Sequence, residues 1–127
     1  MSNSNQMPYT ILIAEDYEDS RYLLKFMLED AGYRVIEAKD GNQAVEQTKK
    51  ERPDLILMDM SMPALDGLAA TQEIRALEND REVPIIAITA HGHLYLDRAL
   101  AVGCNELIGK PIDFEMLETM LSQYLAA

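Results

Sequence analysis

A doubly wound α/β domain around a five-stranded parallel sheet is predicted by three observations. Short apolar runs alternate with amphipathic stretches five times along the chain. Several of the runs are continuously apolar, as in strands covered on both faces. Glycine, proline or a capping residue separates one unit from the next. Strands alternating with helices give a parallel sheet with helices on both sides, and right-handed crossovers leave few ways to wind it.

The elements follow in order. Ile11-Leu12-Ile13-Ala14 is the first buried strand. Residues 20–31 read as a helix with Leu23, Leu24, Met27, Leu28 and Ala31 inward, capped by Asp19 or Ser20 and stopped at Gly32. A weaker strand covers 34–38. Asp40 with Gln43 resembles a capping box, so a helix runs to about Glu51, where Pro53 ends it. Leu55-Ile56-Leu57-Met58 is the third strand and ends at Asp59. The stretch 60–67 holds Pro63 and Gly67 and reads as a loop. A helix follows over 68–78 with Leu68, Thr71, Ile74 and Leu77 inward. The fourth strand is placed at 83–89, a short helix at 94–102 before Gly103, and the fifth strand at 106–110, broken by Pro111. Asp113 caps a last helix that turns Phe114, Leu117, Met120, Leu121 and Tyr124 to the core.

Composition narrows the function. The chain has 127 residues, 48% of them hydrophobic and 26% charged, enough for one core without a disulfide or metal staple. We read 9–127 as one domain behind a polar lead-in over 1–8, with no room for an attached output module. The sum of 11 Lys+Arg and 22 Asp+Glu is a formal charge of −11. Such a surface repels phosphodiester backbones and anionic membranes, which argues against nucleic acid and membrane partners. The single Cys104 allows no intrachain disulfide and suits a reducing compartment. Cys104 reads as a small buried side chain. The segment from Met1 to Pro8 has no basic region, and the apolar run after it is too short for a signal peptide, so a cytoplasmic protein is expected.

In open α/β sheets, ligands bind beyond the carboxyl ends of the strands. Here those ends carry Glu15-Asp16, Asp59, Thr89-Ala90 and Lys110-Pro111. Three adjacent carboxylates repel one another, and a divalent cation relieves that. The donors are hard oxygens, which suit Mg²⁺ and argue against zinc. Mg²⁺ and the Lys110 ammonium together balance the three carboxylates. A neutralised strand-end carboxylate could then attack a phosphoryl group, with Mg²⁺, Lys110 and the Thr89 hydroxyl stabilising its equatorial oxygens.

On these residues the chain resembles a response-regulator receiver domain of two-component signalling, the CheY-like superfamily, over essentially its whole length. The resemblance is carried by Ile11-Leu12-Ile13-Ala14-Glu15-Asp16, by Leu55-Ile56-Leu57-Met58-Asp59-Met60-Ser61-Met62-Pro63 and by Ala64-Leu65-Asp66-Gly67. Ile85-Ile86-Ala87-Ile88-Thr89-Ala90 and Gly109-Lys110-Pro111 complete it. It implies a flavodoxin-like (βα)5 sandwich with strand order 2-1-3-4-5. It implies that Asp59 accepts a phosphoryl group from a phosphohistidine on a histidine kinase or histidine phosphotransfer protein. Asp16 and Asp59 would bind Mg²⁺ directly, with the Ser61 backbone carbonyl as a further ligand and Glu15 acting through water. Thr89 would hydrogen-bond the phosphoryl group and Lys110 would pair with it. Ser61 and His91 would flank the path of the attacking water and tune the lifetime of the phosphorylated state, although His91 also reads as an ordinary surface loop residue. Phosphorylation would change the partner preference of the face built from the fourth helix, fifth strand and fifth helix. Such a protein acts in trans on a protein target and is not a turnover enzyme, since it catalyses only its own phosphorylation and dephosphorylation.

Two positions depart from the family pattern. Glu15-Asp16 replaces a pair of aspartates. Leu107 stands three residues before the lysine, where most members carry a Tyr or Phe that swings inward on activation. Leucine has neither ring nor hydroxyl, and Tyr95 is the nearby candidate to replace it. Other functions fit less well. An aspartyl phosphatase usually needs a second Asp where Ser61 stands, and a flavodoxin-like cofactor site needs a phosphate loop where Glu15-Asp16-Tyr17-Glu18-Asp19 would repel one. A receiver-like adaptor that binds partners without phosphorylation is the remaining alternative. Most methionines read as core filler, and Met60-Ser61-Met62 as a partly exposed loop beside Asp59.

Overall fold

Alternation within each strand decides where the core sits. A computed structural model describes residues 8–62, 65–77 and 82–125, with the side chain of His93 excepted. Five parallel strands, β1 (Thr10–Ala14), β2 (Arg34–Ala38), β3 (Leu55–Asp59), β4 (Ile85–Thr89) and β5 (Glu106–Gly109), lie among the described residues in the order β2-β1-β3-β4-β5. Successive strand residues point to opposite faces. Leu12, Ala14, Ile56, Met58, Ile85 and Ala87 therefore enter one core, and Ile11, Ile13, Leu55, Leu57, Ile86 and Ile88 the other. Burying each large aliphatic side chain contributes about 1.5–3 kcal/mol, so the two runs specify a sheet wrapped on both sides.

Helices α1 (Glu18–Asp30), α2 (Gly41–Glu51), α3 (Gly67–Leu77), α4 (Leu96–Val102) and α5 (Phe114–Leu125) do the wrapping. Ala44 and Val45 of α2, Ala70 and Ile74 of α3, and Ala99 of α4 close the first core. Leu24 and Leu28 of α1 close the second with Leu117, Leu121 and Leu125 of α5. The Asp40 carboxylate accepts the Gln43 N–H at 2.8 Å, and the Gln43 amide oxygen accepts the Lys39 N–H, so the predicted cap of α2 forms. Asp113 accepts the N–H groups of Glu115 and Met116, so the predicted cap of α5 forms too.

Several boundaries differ from the sequence expectation. α1 starts at Glu18 with Tyr17 at its cap position and no side-chain cap, so neither Asp19 nor Ser20 caps it. The contact beside it is local: the carboxylate of Glu15, two residues back, accepts the Tyr17 N–H at 3.1 Å. Leu23 and Ala31 face solvent, because Arg21, Leu24 and Leu28 define the inward stripe and Leu23 lies about 100° round from Leu24. α3 begins at Gly67, with Asp66 accepting the Ala69 N–H at 2.9 Å, and its Leu77 is exposed. β4 begins at Ile85, since Pro84 has no N–H to give the ladder, although its carbonyl still accepts from Ile56. The fourth helix is preceded by a 3-10 turn over Gly92–Tyr95, and β5 stops at Gly109, one residue before Lys110. Met60 and Met62 are both buried, and Ser61 alone of that trio is exposed. Residues 1–7 of the lead-in, Pro63-Ala64 and the predicted helix end at Glu78 lie outside the described residues.

Candidate functional site

The carboxyl ends of β1, β3 and the segment after β5 bring the predicted acids and the lysine together. Asp59 closes β3 and is 3% exposed. Its Oδ1 accepts the Ser61 N–H at 3.0 Å, which folds the loop back against the strand end. Its Oδ2 stands 3.5 Å from Lys110 Nζ. Glu15 follows β1 and is 2% exposed, with Oε1 3.1 Å from the same ammonium. Asp16 is exposed, yet one carboxylate oxygen each from Glu15, Asp16 and Asp59 lies within 4.8 Å of the others.

Electrostatics follow from that crowding. Burial raises the Glu15 carboxyl above the ordinary range, and the Asp59 carboxylate beside it raises it further. Burial alone would lower Lys110, but its contacts with Glu15 and Asp59 outweigh it and hold the ammonium above its usual range. The Lys110 ammonium thus meets two buried carboxylates, and exposed Asp16 adds a third beside them. The donor set is all oxygen, and the buried Glu15 Oε1 has its ion pair with Lys110 but no well-aligned hydrogen bond. A hard divalent cation such as Mg²⁺ fits that all-oxygen donor set better than zinc does.

Thr89 ends β4 fully buried, one residue beyond Ile88, which lies opposite Asp59 in the ladder. Its carbonyl accepts the Lys110 N–H at 2.8 Å, which ties the lysine to the strand end ahead of a cis Lys110-Pro111 bond. The Thr89 hydroxyl accepts the His91 N–H at 3.0 Å. His91 is exposed, with its ring tilted against Tyr95 at 5.7 Å between centroids. Leu107 pairs with Ala87 in the sheet and packs, half-buried, against the same core as Tyr95. Cys104 is buried, and burial raises its thiol, in keeping with an unreactive side chain.

Sequence reasoning missed Arg21. This residue is 6% exposed, its guanidinium beneath the acidic loop. Its Nη1 donates to the Glu15 carbonyl at 3.0 Å and reaches the Asp16 carbonyl at 3.5 Å. Its Nε donates to Glu37 Oε1 at 3.0 Å, and Lys25 holds the other Glu37 oxygen at 3.2 Å. The available signal is an arginine in register with Leu24 and Leu28 on the buried stripe of α1. Burial raises the Glu37 carboxyl, but Lys25 and Arg21 outweigh it and the net shift is downward. The stabilisation is therefore present above the ordinary carboxylate range and lost as pH falls through the folded-state value. Glu37→Gln is expected to lower stability slightly at neutral pH, since Glu37 is one-third exposed. In urea titrations its deficit against wild type should close in acid, and a deficit that persists there would refute the assignment.

Gly67 is a second support. A Cβ there would strike the Asp59 carbonyl oxygen and Met60. Gly67→Ala is therefore expected to cost about 1–3 kcal/mol in denaturant unfolding, as overpacking typically does. It should also displace the Asp59 backbone, read as a shifted Ser61 amide resonance.

A doubly wound sheet that gives its ligand edge to acids and a single lysine is the receiver architecture of two-component signalling. The chain belongs to that family, for the response regulator receiver domain matches residues 11–122. It is 33% identical to the polar-differentiation response regulator DivK of Brucella anthropi, covering 94% of this chain and 98% of DivK. It is 34% identical to the histidine-protein kinase BarA of Shigella flexneri over 98% of this chain, but spans only 14% of that kinase. The receiver domain of the sensor histidine kinase PA1611 from Pseudomonas aeruginosa superposes with a TM-score of 0.87 at 39% identity, covering 95% of this chain and all of that one. That structure holds a magnesium ion in its active-site cleft. Among the described residues, no helix is long and apolar enough to cross a membrane.

Proposed function

We propose that this chain accepts a phosphoryl group on Asp59 from a phosphohistidine of a histidine kinase or histidine phosphotransfer protein, and that the modified protein changes its binding to a protein target. The observation that carries this reading is the Lys110 ammonium set between Glu15 and Asp59 with Asp16 beside them. In the transfer, an Asp59 carboxylate oxygen forms a P–O bond as the P–N bond to the donor imidazole breaks. The imidazole leaves with that electron pair. Glu15, Asp16, Asp59 and the Ser61 carbonyl would hold Mg²⁺, which supplies charge neutralisation for the transferring oxygens. Lys110 pairs with one phosphoryl oxygen, and the Thr89 hydroxyl donates to another.

Phosphorylation adds about −1.5 to −2 charges at neutral pH, so the site needs both the ammonium and the hydroxyl to reorganise around it. The surface that responds is the one built on α4, β5 and α5, next in space to Thr89 and Lys110. The protein turns over no separate substrate, works in the cytoplasm, and Ser61 and His91 set how quickly water reaches the phosphoryl group.

Intact mass after incubation with Mg²⁺ and acetyl phosphate tests this. One hydroxylamine-labile phosphoryl adduct is expected, mapping to the peptide that contains Asp59 and absent when EDTA replaces Mg²⁺. An adduct on another residue, or none with acetyl phosphate and none with a panel of phosphohistidine donors, would overturn the reading.

A further inference from the structure

We propose that phosphorylation is relayed from Thr89 to the start of α4 through the contacts of His91 with Tyr95 and of Tyr95 with Arg98, in place of any aromatic residue on β5. The inference rests on the phosphoacceptor reading of Asp59. Four observations carry it. The buried Thr89 hydroxyl is committed to the His91 N–H at 3.0 Å. The His91 and Tyr95 rings are in contact, 5.7 Å between centroids at 45°. The Arg98 guanidinium lies 5.3 Å from the Tyr95 centroid, within cation–π range. Tyr95 itself occupies the cap position of α4 and packs against the core that Leu107 also touches.

The consequence is mechanical. Side chains occupy discrete rotamers, so a Thr89 hydroxyl that turns to a phosphoryl oxygen on Asp59 carries its Oγ away from the His91 N–H. The turn that this bond holds must then repack. His91 cannot shift without disturbing the ring tilted against it, and Tyr95 adjoins both the first turn of α4 and the Arg98 guanidinium. Leu107 cannot substitute, since an aliphatic side chain offers neither a face for a cation nor a hydroxyl. Small changes at a site become discrete ones where packed elements have two arrangements.

The test follows backbone amide resonances as Mg²⁺ and beryllofluoride, a phosphoryl mimic, are added to the full chain. Wild type should show shifts at Ser61, His91 and Arg98. Tyr95→Leu should keep the Ser61 and His91 shifts and lose most of the Arg98 shift. Tyr95→Phe keeps the ring and should behave as wild type, which separates a relay from a folding defect. An undiminished Arg98 shift in Tyr95→Leu would overturn the relay while leaving Asp59 as the acceptor. Absence of the Ser61 shift in wild type would overturn both.

Discussion

Asp59→Asn is expected to take up no phosphoryl group from any donor, and yet to fold at least as firmly as wild type when Mg²⁺ is absent. The two halves come from one geometry. The amide that replaces the carboxylate keeps an oxygen for the Ser61 N–H, now held at 3.0 Å, so the loop stays in place. Lys110 loses a partner at 3.5 Å but keeps Glu15 at 3.1 Å. What disappears is one of two buried negative charges, and with it the repulsion that helps hold the Glu15 carboxyl above its ordinary range. The nucleophile also disappears, because an amide oxygen cannot form a stable acyl phosphate here.

Mg²⁺ should reverse the order of stabilities. A ligand that binds only the folded state stabilises it by about 2.7 kcal/mol at a hundred times its dissociation constant. Changes outside the ligand set alone cost metal sites about 10–100-fold in affinity, so loss of the Asp59 carboxylate should cost at least as much. Urea titrations with and without Mg²⁺ would show wild type gaining most of that increment and Asp59→Asn little of it. Equal gains would mean that the cation does not use Asp59. A variant more fragile than wild type without Mg²⁺ would mean that the carboxylate repulsion is already relieved by Lys110 alone.

The chemistry of this site can be read in sequence because each of its parts closes a strand or directly follows one. Continuous runs such as Leu55-Ile56-Leu57-Met58 announce a strand buried on both faces, and the first polar residue after one is pinned to the ligand edge of the sheet. Asp59, Glu15-Asp16 and Lys110 are all located that way, whichever helix boundaries are assumed. The features that escape depend on contacts between elements. The early start of α1 is the exception, for there the Glu15 carboxylate captures the Tyr17 N–H only two residues on. Met62 has the sequence setting of a surface loop, yet the chain after β3 folds back onto the core through the Ser61–Asp59 bond and buries it. Leu77 and Leu23 follow a helical period in sequence, but the period does not say how wide a stripe the sheet will cover. Arg21 escapes notice because arginine is so rarely fully buried that its type alone suggests a solvent-facing side chain.

Arg21→Met should then be the most damaging substitution outside the acidic cluster. Methionine retains much of the aliphatic stem and fills the same stripe, so the loss isolates the guanidinium. Breaking a buried ion pair from one side costs about 3–5 kcal/mol. This pair falls well below that range, because Glu37 is one-third exposed and keeps Lys25. The larger part of the loss lies with the Glu15 carbonyl, which gives up its 3.0 Å donor where water has poor access. That carbonyl belongs to the residue whose carboxylate meets Lys110, so slack in the loop reaches the site directly. The expected result is a fall of about 2–3 kcal/mol in urea unfolding together with about a tenfold weaker Mg²⁺ affinity. Glu37→Gln, which leaves the Arg21 contacts to the loop carbonyls in place, should leave Mg²⁺ affinity close to wild type. If Arg21→Met lost stability but bound Mg²⁺ as tightly as wild type, the guanidinium would be a brace for α1 and β2 alone. A joint loss in Arg21→Met with Glu37→Gln spared would identify Arg21 as the residue that aims the acidic loop at the cation.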